Sequence, residues 1–195
     1  MKVAITLTTI NIPTVVEKIA LSYAGKNELF FVIAGDINQD PGLEKFLIDL
    51  EKKSELEIFY IHPDKLDFAK KFKRSIEHIP TKSFAQRNYA DIKAYYEGAE
   101  VIIRIDDDNY PFNATNFVDK HVSKIGIQTS SVIDSNDGWF NCCDMLQDEN
   151  GIRFYPRGFP VLPRYNSQEF KIDTKEDCRV VVNAGLWLGD PDVDA

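Results

Sequence analysis

The sequence is poor in the residues that build disulfide frameworks and zinc sites. It contains three cysteines, Cys142, Cys143 and Cys178, and three histidines at unrelated spacings among its 195 residues. Three cysteines cannot form a disulfide framework, and no zinc-ligand spacing is present. We therefore interpret the thiols as structural.

Long hydrophobic runs are also missing. No stretch reaches the roughly 18 to 20 apolar residues of a membrane span, and the N-terminus lacks the pattern of a secretory signal. We expect no transmembrane segment and a cytoplasmic location. The length predicts a single domain, since domains commonly have about 100 to 200 residues.

Positive charge is scarce relative to negative charge. The chain has 23 basic and 31 acidic residues, which gives a formal net charge of −8. Nucleic-acid binding normally needs the opposite sign, so we expect no nucleic-acid partner. An anionic ligand held by a few placed groups remains compatible with this balance.

Two phosphate-binding motifs are absent. The residues after the second apolar run, Gly35 and Asp36, match neither the Gly-Lys-Ser/Thr of a P-loop nor the GxGxxG of a dinucleotide site. Hydride transfer and P-loop phosphotransfer therefore lose their main support.

Apolar runs and helical patterns alternate along the first half of the chain. Strands are predicted at KVAITLT, LFFVIA, EIFYI and VIIRI, with helices after Pro13, over residues 43–53 and from Ser83 to Gly98. This order predicts an α/β fold with a mostly parallel sheet. We divide the single domain into two halves, 1–112 and 113–195. The second half is predicted to contain a smaller mixed or antiparallel sheet.

An acidic segment, Asp106-Asp107-Asp108-Asn109, follows the last of these strands, which we expect to be central. Ligands of open α/β sheets bind at the carboxyl ends of the strands. Asp106 and Asp108 alternate and would face one ligand together, and their oxygens suit Mg²⁺ or Mn²⁺. The alternative interpretation is a solvated acidic loop.

Arg87 and Asn88 precede the acidic segment on the predicted helix. Arginine there suits a diphosphate or a ribose. An ordinary helix-surface pair between Arg87 and Asp91, four residues later, explains the same spacing. The sequence does not decide between them.

Two segments of the second half also carry candidate residues. Arg157 lies between Pro156 and Pro160 beside Gly158, in a stretch too stiff for an ordinary helix. The plain alternative is an irregular loop whose arginine pairs with a surface carboxylate. Asp192 and Asp194 alternate near the C-terminus and could include a catalytic base, an acceptor-binding group or a capped turn.

Together these segments resemble the STELLO-like family of glycosyltransferase-related proteins and, more distantly, the UDP-arabinopyranose mutases known as reversibly glycosylated polypeptides. The resemblance covers five segments in the family's order: 8–13, Gly35-Asp36, Arg87-Asn88 with 106–109, 156–160 and 189–195. It implies a single GT-A domain with a nucleotide-binding half at 1–112 and an acceptor or sugar half at 113–195. It also implies a nucleotide-sugar donor with UDP as the expected nucleotide, and Mn²⁺ or Mg²⁺ at the aspartates. The family motif continues beyond Ala195, so C-terminal site residues are expected to follow it.

The resemblance also implies roles for single residues. Those implied to contact the nucleotide sugar are Thr8, Thr9, Asn11, Asp36, Arg87, Asn88, Asp106 and Asp107. Asp108, with Asp106, would hold the metal. Arg157 matches the arginine that becomes glycosylated in the mutases, but Ala184 stands where those enzymes have a histidine.

The sequence thus predicts a metal-dependent glycosyltransferase that acts on a glycan or small-molecule acceptor. Asp192 or Asp194 would take the acceptor proton. Two alternatives stay open: a UDP-sugar mutase that glycosylates itself at Arg157, and a non-catalytic nucleotide-binding scaffold that regulates polysaccharide synthesis.

Overall fold

A computed structural model gives the architecture of the chain. It describes residues 1–26, 28–62, 64, 72–80, 83–136, 138–145, 153–156, 158–164, 169–183, 185 and 193–194. These residues form two compact units, Met1–Val122 and Ser123–Ala195. The division does not test whether the units belong to one domain, so the single domain over 1–195 stays a prediction.

The first unit is an α/β structure built on a four-stranded parallel sheet. Its elements are β1 (Val3–Thr9), α1 (Thr14–Ser22), β2 (Leu29–Gly35), α2 (Leu43–Ser54), β3 (Ile58–Ile61), α3 (Lys73–Ile76), α4 (Arg87–Tyr96), β4 (Val101–Arg104) and α5 (Phe117–Val122). The strand order is β3-β2-β1-β4, and every neighbouring pair is parallel. The predicted α/β class and parallel sheet are confirmed.

β1 and β2 are the two central strands of this sheet. Both of their faces are covered. Alternate residues of β1 and β2, such as Ile5 and Phe31, pack into a core with α1, α2 and α5. The intervening residues, such as Ala4 and Val32, pack with α3 and α4 on the opposite face. Burial on both faces explains why neither strand contains a charged residue.

β4 lies at the edge of the described sheet, not at its centre. It pairs with β1 through Val3↔Val101 to Thr6↔Arg104, and Ile102 and Arg104 are exposed. The expectation of a central strand was therefore wrong. A short apolar run such as VIIRI suits a central strand as well as an edge strand, so the sequence could not show on how many sides β4 is paired.

Helix α4 packs one face against the sheet and ends before Gly98. Tyr89, Ala90 and Ala94 form its buried face, whereas Tyr96 near its end is half-exposed. Gly98 ends the helix with a φ of +84°, and its amide donates to the carbonyl of Tyr95. Glycine tolerates this left-handed conformation, as its position after the helix predicted.

The second unit contains antiparallel strand pairs. Its elements are β5 (Gly126–Ser135), β6 (Tyr155–Pro156), α6 (Val161–Arg164), β7 (Phe170–Val180) and β8 (Val193–Asp194). β5 pairs with β7, and β6 pairs with β8, both antiparallel. This agrees with the expected smaller C-terminal sheet.

No helix among the described residues has the length and apolar character needed to cross a membrane. The cytoplasmic location stays a prediction.

Candidate functional site

The carboxyl ends of β1 and β2 and the loop after β4 meet at one edge of the parallel sheet. From β1 the chain moves outward to β2 and β3, and then returns to place β4 on the other side of β1. β1 is therefore the strand at which the direction of winding reverses. In open α/β folds this switch point is where ligands bind.

A cavity of about 320 Å³ opens at this edge. Its lining residues come from the loop ends of β1 and β2, the segment before α4 and the loop after β4: Thr8, Thr9, Ile10, Ala34, Gly35, Asp36, Ser83, Gln86 and Asp107. The volume lies within the range of about 300 to 1,000 Å³ of small-molecule sites. Four of the predicted nucleotide-contacting residues, Thr8, Thr9, Asp36 and Asp107, thus share one cavity.

Thr9 and Asp107 are joined directly inside this cavity. Thr9, only 5% exposed, donates its hydroxyl hydrogen to Oδ2 of Asp107 at 2.6 Å. The same Oγ1 accepts the backbone amide of Asn11 at 2.9 Å. A hydrogen bond to a carboxylate is among the stronger ones. The last residue of β1 therefore fixes the middle aspartate of the acidic loop.

Asp106 is held by a different partner. Its Oδ1 accepts Nη2 of Arg87 at 3.1 Å, and its Oδ2 accepts Nδ2 of Asn109 at 3.3 Å. The Nε atom of Arg87 is buried and has no hydrogen-bond partner among the described residues. The arginine at the start of α4 is thus tied to the acidic loop.

The helix-surface pair between Arg87 and Asp91 is not formed. Asp91 instead accepts the Thr6 hydroxyl at 2.8 Å and forms an ion pair with Arg104. Both partners lie on strands beneath α4, so contacts between helix and sheet replace the contact along the helix. Sequence spacing alone could not show this competition.

Three other predicted residues lie at the surface outside the lining of the cavity. Asp108, Asn11 and Asn88 are exposed. The backbone carbonyl of Asp108 accepts the amide of Tyr110, and its carboxylate makes no hydrogen bond or ion pair with a described residue. Asp106 and Asp108 do not line the cavity, so the expected alternating pair is not what faces it.

The reason is the local backbone of the acidic loop. β4 ends at Arg104, and the following amides of Asn109 and Tyr110 turn back to the carbonyls of Asp106 and Asp108. The alternation of side chains belongs to extended strands and does not continue through a turn.

Sequence reasoning missed several polar residues around the cavity. Ser83 and Gln86 line it from the turn before α4, and Gln86 is 3% exposed. Behind Gly35, Nε2 of Gln39 donates to the hydroxyl of Tyr60. Oε1 of Gln39 is buried and has no partner in the part of the chain that the structure describes. Burial raises the pKa of Tyr60, and the bond from Gln39 opposes that rise. The signal that could have found Ser83 and Gln86 is their place at the start of the predicted helix, just before Arg87.

The candidates of the second unit cannot be assigned to this site. Arg157, Asp192 and Ala184 lie outside the described residues. Asp194 belongs to β8, where its backbone pairs with Tyr155. Their proposed roles stay predictions.

The chemistry of the loop limits the kind of metal site that it can form. Within the part of the chain that the structure describes, no three His, Cys, Asp or Glu side chains are grouped so that they could hold a metal ion. Asp106 already binds Arg87, and Asp108 is open to solvent. Mg²⁺ is commonly bound by one or two carboxylates together with substrate phosphates and water. The described residues therefore fit an ion that is held partly by the substrate and water, and they do not fit a site in which protein side chains supply every ligand.

Comparisons with known proteins do not assign the chain to a family. No protein-family model matches it, and no curated protein matches its sequence significantly.

Proposed function

We propose that the protein is a glycosyltransferase of GT-A type that uses a nucleotide-sugar donor, with UDP as the nucleotide. The observation that carries the proposal is the cavity at the switch point of the parallel sheet. Next to it lies the acidic loop, which forms an ion pair with Arg87. The resemblance of the five sequence segments supports the choice of donor class.

The composition of the cavity supports the nucleoside part of this donor. Hydroxyl, carboxylate and amide groups from Thr8, Asp36 and Gln86 surround it, with Ala34 and Ile10 as apolar surface. A nucleoside has hydroxyl and N–H donors, and its base has an apolar face. Such mixed lining is typical of small-molecule sites.

Arg87 and Asp108 support the diphosphate part. Arg87 is 30% exposed on its side chain, so its guanidinium is accessible to a ligand while it contacts Asp106. Asp108 would hold Mg²⁺ or Mn²⁺, which would supply Lewis-acid stabilisation of the departing diphosphate. Arg87 would add positive charge on the same side.

The remaining steps are proposed from the sequence. Asp192 or Asp194 would accept the proton of the acceptor hydroxyl, on a glycan or a small molecule. Arg157 would orient the donor sugar in the transferase. In the mutase alternative it would carry the sugar covalently.

The test is release of UDP from a panel of UDP-sugars, with GDP- and CDP-sugars in parallel, in the presence of Mn²⁺ or Mg²⁺. Without an acceptor, slow transfer to water would still release UDP. We expect release by the parent protein and its loss in Asp108→Asn. Asp49→Asn, which removes an exposed carboxylate on α2, is the matched control and should retain activity.

Other outcomes have defined meanings. Binding of UDP with no release from any donor supports the scaffold alternative and overturns the transferase. A hexose- or pentose-sized adduct in the intact mass supports the mutase alternative. If the protein neither binds any nucleotide nor releases one from any donor, the proposed function is refuted.

A further inference from the structure

A second cavity lies at the opposite edge of the parallel sheet, where the strands begin. Its volume is about 290 Å³, and Val3 of β1, Leu29 of β2, Tyr23 after α1 and part of α5 line it. All of its lining residues belong to the first unit. Val3 and Thr9 are the two ends of β1 and lie roughly 20 Å apart at about 3.3 Å per residue. This cavity is therefore distinct from the one at the switch point, and its ligand does not depend on the proposed function.

The floor of this second cavity is apolar. Val3, Leu29 and Val118 are buried and belong to the core that the sheet shares with α1, α2 and α5. Val122, which also lines the cavity, packs against that core. The volume is close to the lower limit of about 300 Å³ for small-molecule sites. The floor therefore suits one apolar side chain of a small ligand.

Lys26 and Asp119 place opposite charges at the rim, and both lie against Tyr23. Nζ of Lys26 is 4.3 Å from the centroid of the Tyr23 ring. The Tyr23 hydroxyl accepts the amide of Val118 at 3.1 Å. Burial raises the pKa of Tyr23, the amides of Asp119 and Val118 oppose that rise, and the carboxylate of Asp119 adds to it. The cation and the carboxylate are therefore both within reach of one tyrosine side chain.

These two charges do not neutralise each other. Neither Lys26 nor Asp119 forms an ion pair with a described residue. Glu28, the other carboxylate of the rim, already pairs with the ammonium of Met1 at 3.1 Å. We propose that this cavity binds an apolar α-amino acid, with its carboxylate at Lys26, its ammonium at Asp119 and its side chain on the apolar floor.

The mixed charge of the rim explains why a zwitterion fits better than a ligand with one charge. A carboxylate alone would be attracted by Lys26 but repelled by Asp119, and an amine alone would meet the reverse. An α-amino acid carries both charges on one carbon atom. It can make a charge-assisted hydrogen bond to each side chain at once.

The experiment follows the ¹H–¹⁵N NMR spectrum of the protein during titration with small molecules. Leucine carries both charges and an apolar side chain, 4-methylpentanoate lacks the ammonium, 3-methylbutylamine lacks the carboxylate, and glycine lacks the side chain. We expect leucine to bind at least about tenfold more tightly than each of the other three. The amide signals of Val3, Leu29 and Val118 should shift, and the signal of Thr9 at the far end of β1 should not.

Two substitutions of exposed side chains test the rim. Lys26→Met keeps an apolar stem but removes the cation, so it should weaken leucine binding about tenfold without weakening that of 3-methylbutylamine. Asp119→Asn should weaken leucine binding by a similar factor without weakening that of 4-methylpentanoate. Lys52→Met and Asp49→Asn, which remove an exposed pair on α2, are the matched controls and should retain the affinity for leucine.

A third substitution tests the floor. Val122→Phe fills the cavity without changing a charge, so it should abolish leucine binding. If the folded variant binds leucine as the parent does, the ligand lies elsewhere and the proposal is overturned.

Further results would also overturn the proposal. One is that leucine, isoleucine, methionine and phenylalanine all fail to bind at millimolar concentration. Another is that a ligand with one charge binds as tightly as leucine. A third is that Lys26→Met or Asp119→Asn leaves the affinity for leucine unchanged. None of these measurements involves a nucleotide, so they are independent of the test of the proposed function.

Discussion

Gly35 lies where two side chains leave no room for a third. A Cβ atom added to Gly35 would be 2.8 Å from the hydroxyl of Tyr60 and 3.0 Å from Cδ of Gln39, with Oε1 of Gln39 closer still. Carbon atoms do not approach neighbours so closely, so Gly35→Ala must displace the Gln39 amide. The backbone of Gly35 is not among the left-handed glycines, and alanine itself causes no strain there.

The magnitude follows from what the displacement breaks. The hydrogen bond from Gln39 to Tyr60 contributes about 0.5 to 1.5 kcal/mol, and an unsatisfied hydroxyl adds about 1 kcal/mol or more. Replacing glycine by alanine also stabilises the folded state by about 0.4 to 1 kcal/mol, because it lowers the conformational entropy of the unfolded chain. We expect Gly35→Ala to lower the free energy of unfolding by about 0.5 to 2 kcal/mol.

A double-mutant cycle with Gln39→Ala isolates the cause. When the amide is already gone, Gly35→Ala should change the free energy of unfolding by about 1 kcal/mol less, measured by urea denaturation at constant slope. The 2.8 Å approach to the Tyr60 hydroxyl is present in both backgrounds and cancels in the cycle. Gly42→Ala is the control, because its added Cβ would be 3.1 Å from Oδ1 of Asp40 and would not meet Gln39. A coupling energy below about 0.3 kcal/mol between Gly35 and Gln39 would refute the reasoning.

Three further predictions test the site and its surroundings. Asp108→Asn should abolish the metal-dependent part of UDP affinity in calorimetry, and equal affinity of the parent protein with and without Mn²⁺ would contradict the proposed metal role. Arg87→Ala should weaken donor binding by about 1.5 to 3 kcal/mol, the size of a charge-assisted bond, while Arg104→Ala, which removes the pair with Asp91, should leave donor affinity nearly intact. Burial lowers the pKa of His121, so its stabilising effect is present above the unfolded-state value of about 6.5 and is lost as the pH falls. The melting temperature of His121→Gln should therefore decline less than that of the parent between pH 7.5 and 5.5, and parallel declines would rule this out.

The sequence predicted the parts of the fold in which local pattern and burial agree. β1 and β2 contain no charged residue because helices cover both of their faces. Both segments are therefore recognisable as buried strands in the sequence. β7 was only partly predicted. From Phe170 to Asp177 its residues are exposed, and an exposed strand needs no apolar alternation. Its pairing with β5 was therefore not visible in the sequence.

The candidate site was predicted at the level of segments and not of single side chains. Position after a strand placed the acidic loop at the correct edge of the sheet. It could not select Asp107 over its neighbours, since that choice depends on a turn after Arg104 and on a hydroxyl 98 residues away. Gln39 and Tyr60 are 21 residues apart, and nothing in their spacing links them.

The two ion pairs between α4 and the β4 segment have opposite polarity. Arg87 of the helix meets Asp106 after the strand, and Asp91 of the helix meets Arg104 on the strand. Four residues span about 6 Å along a helix, and two residues span about 6.6 Å along a strand, so the spacings match. A slide of the helix by one turn would bring Asp91 toward Asp106, or Arg87 toward Arg104, and place like charges together. The pairs therefore favour one docking position of α4, and they hold the start of the helix beside the acidic loop without any contribution from a ligand.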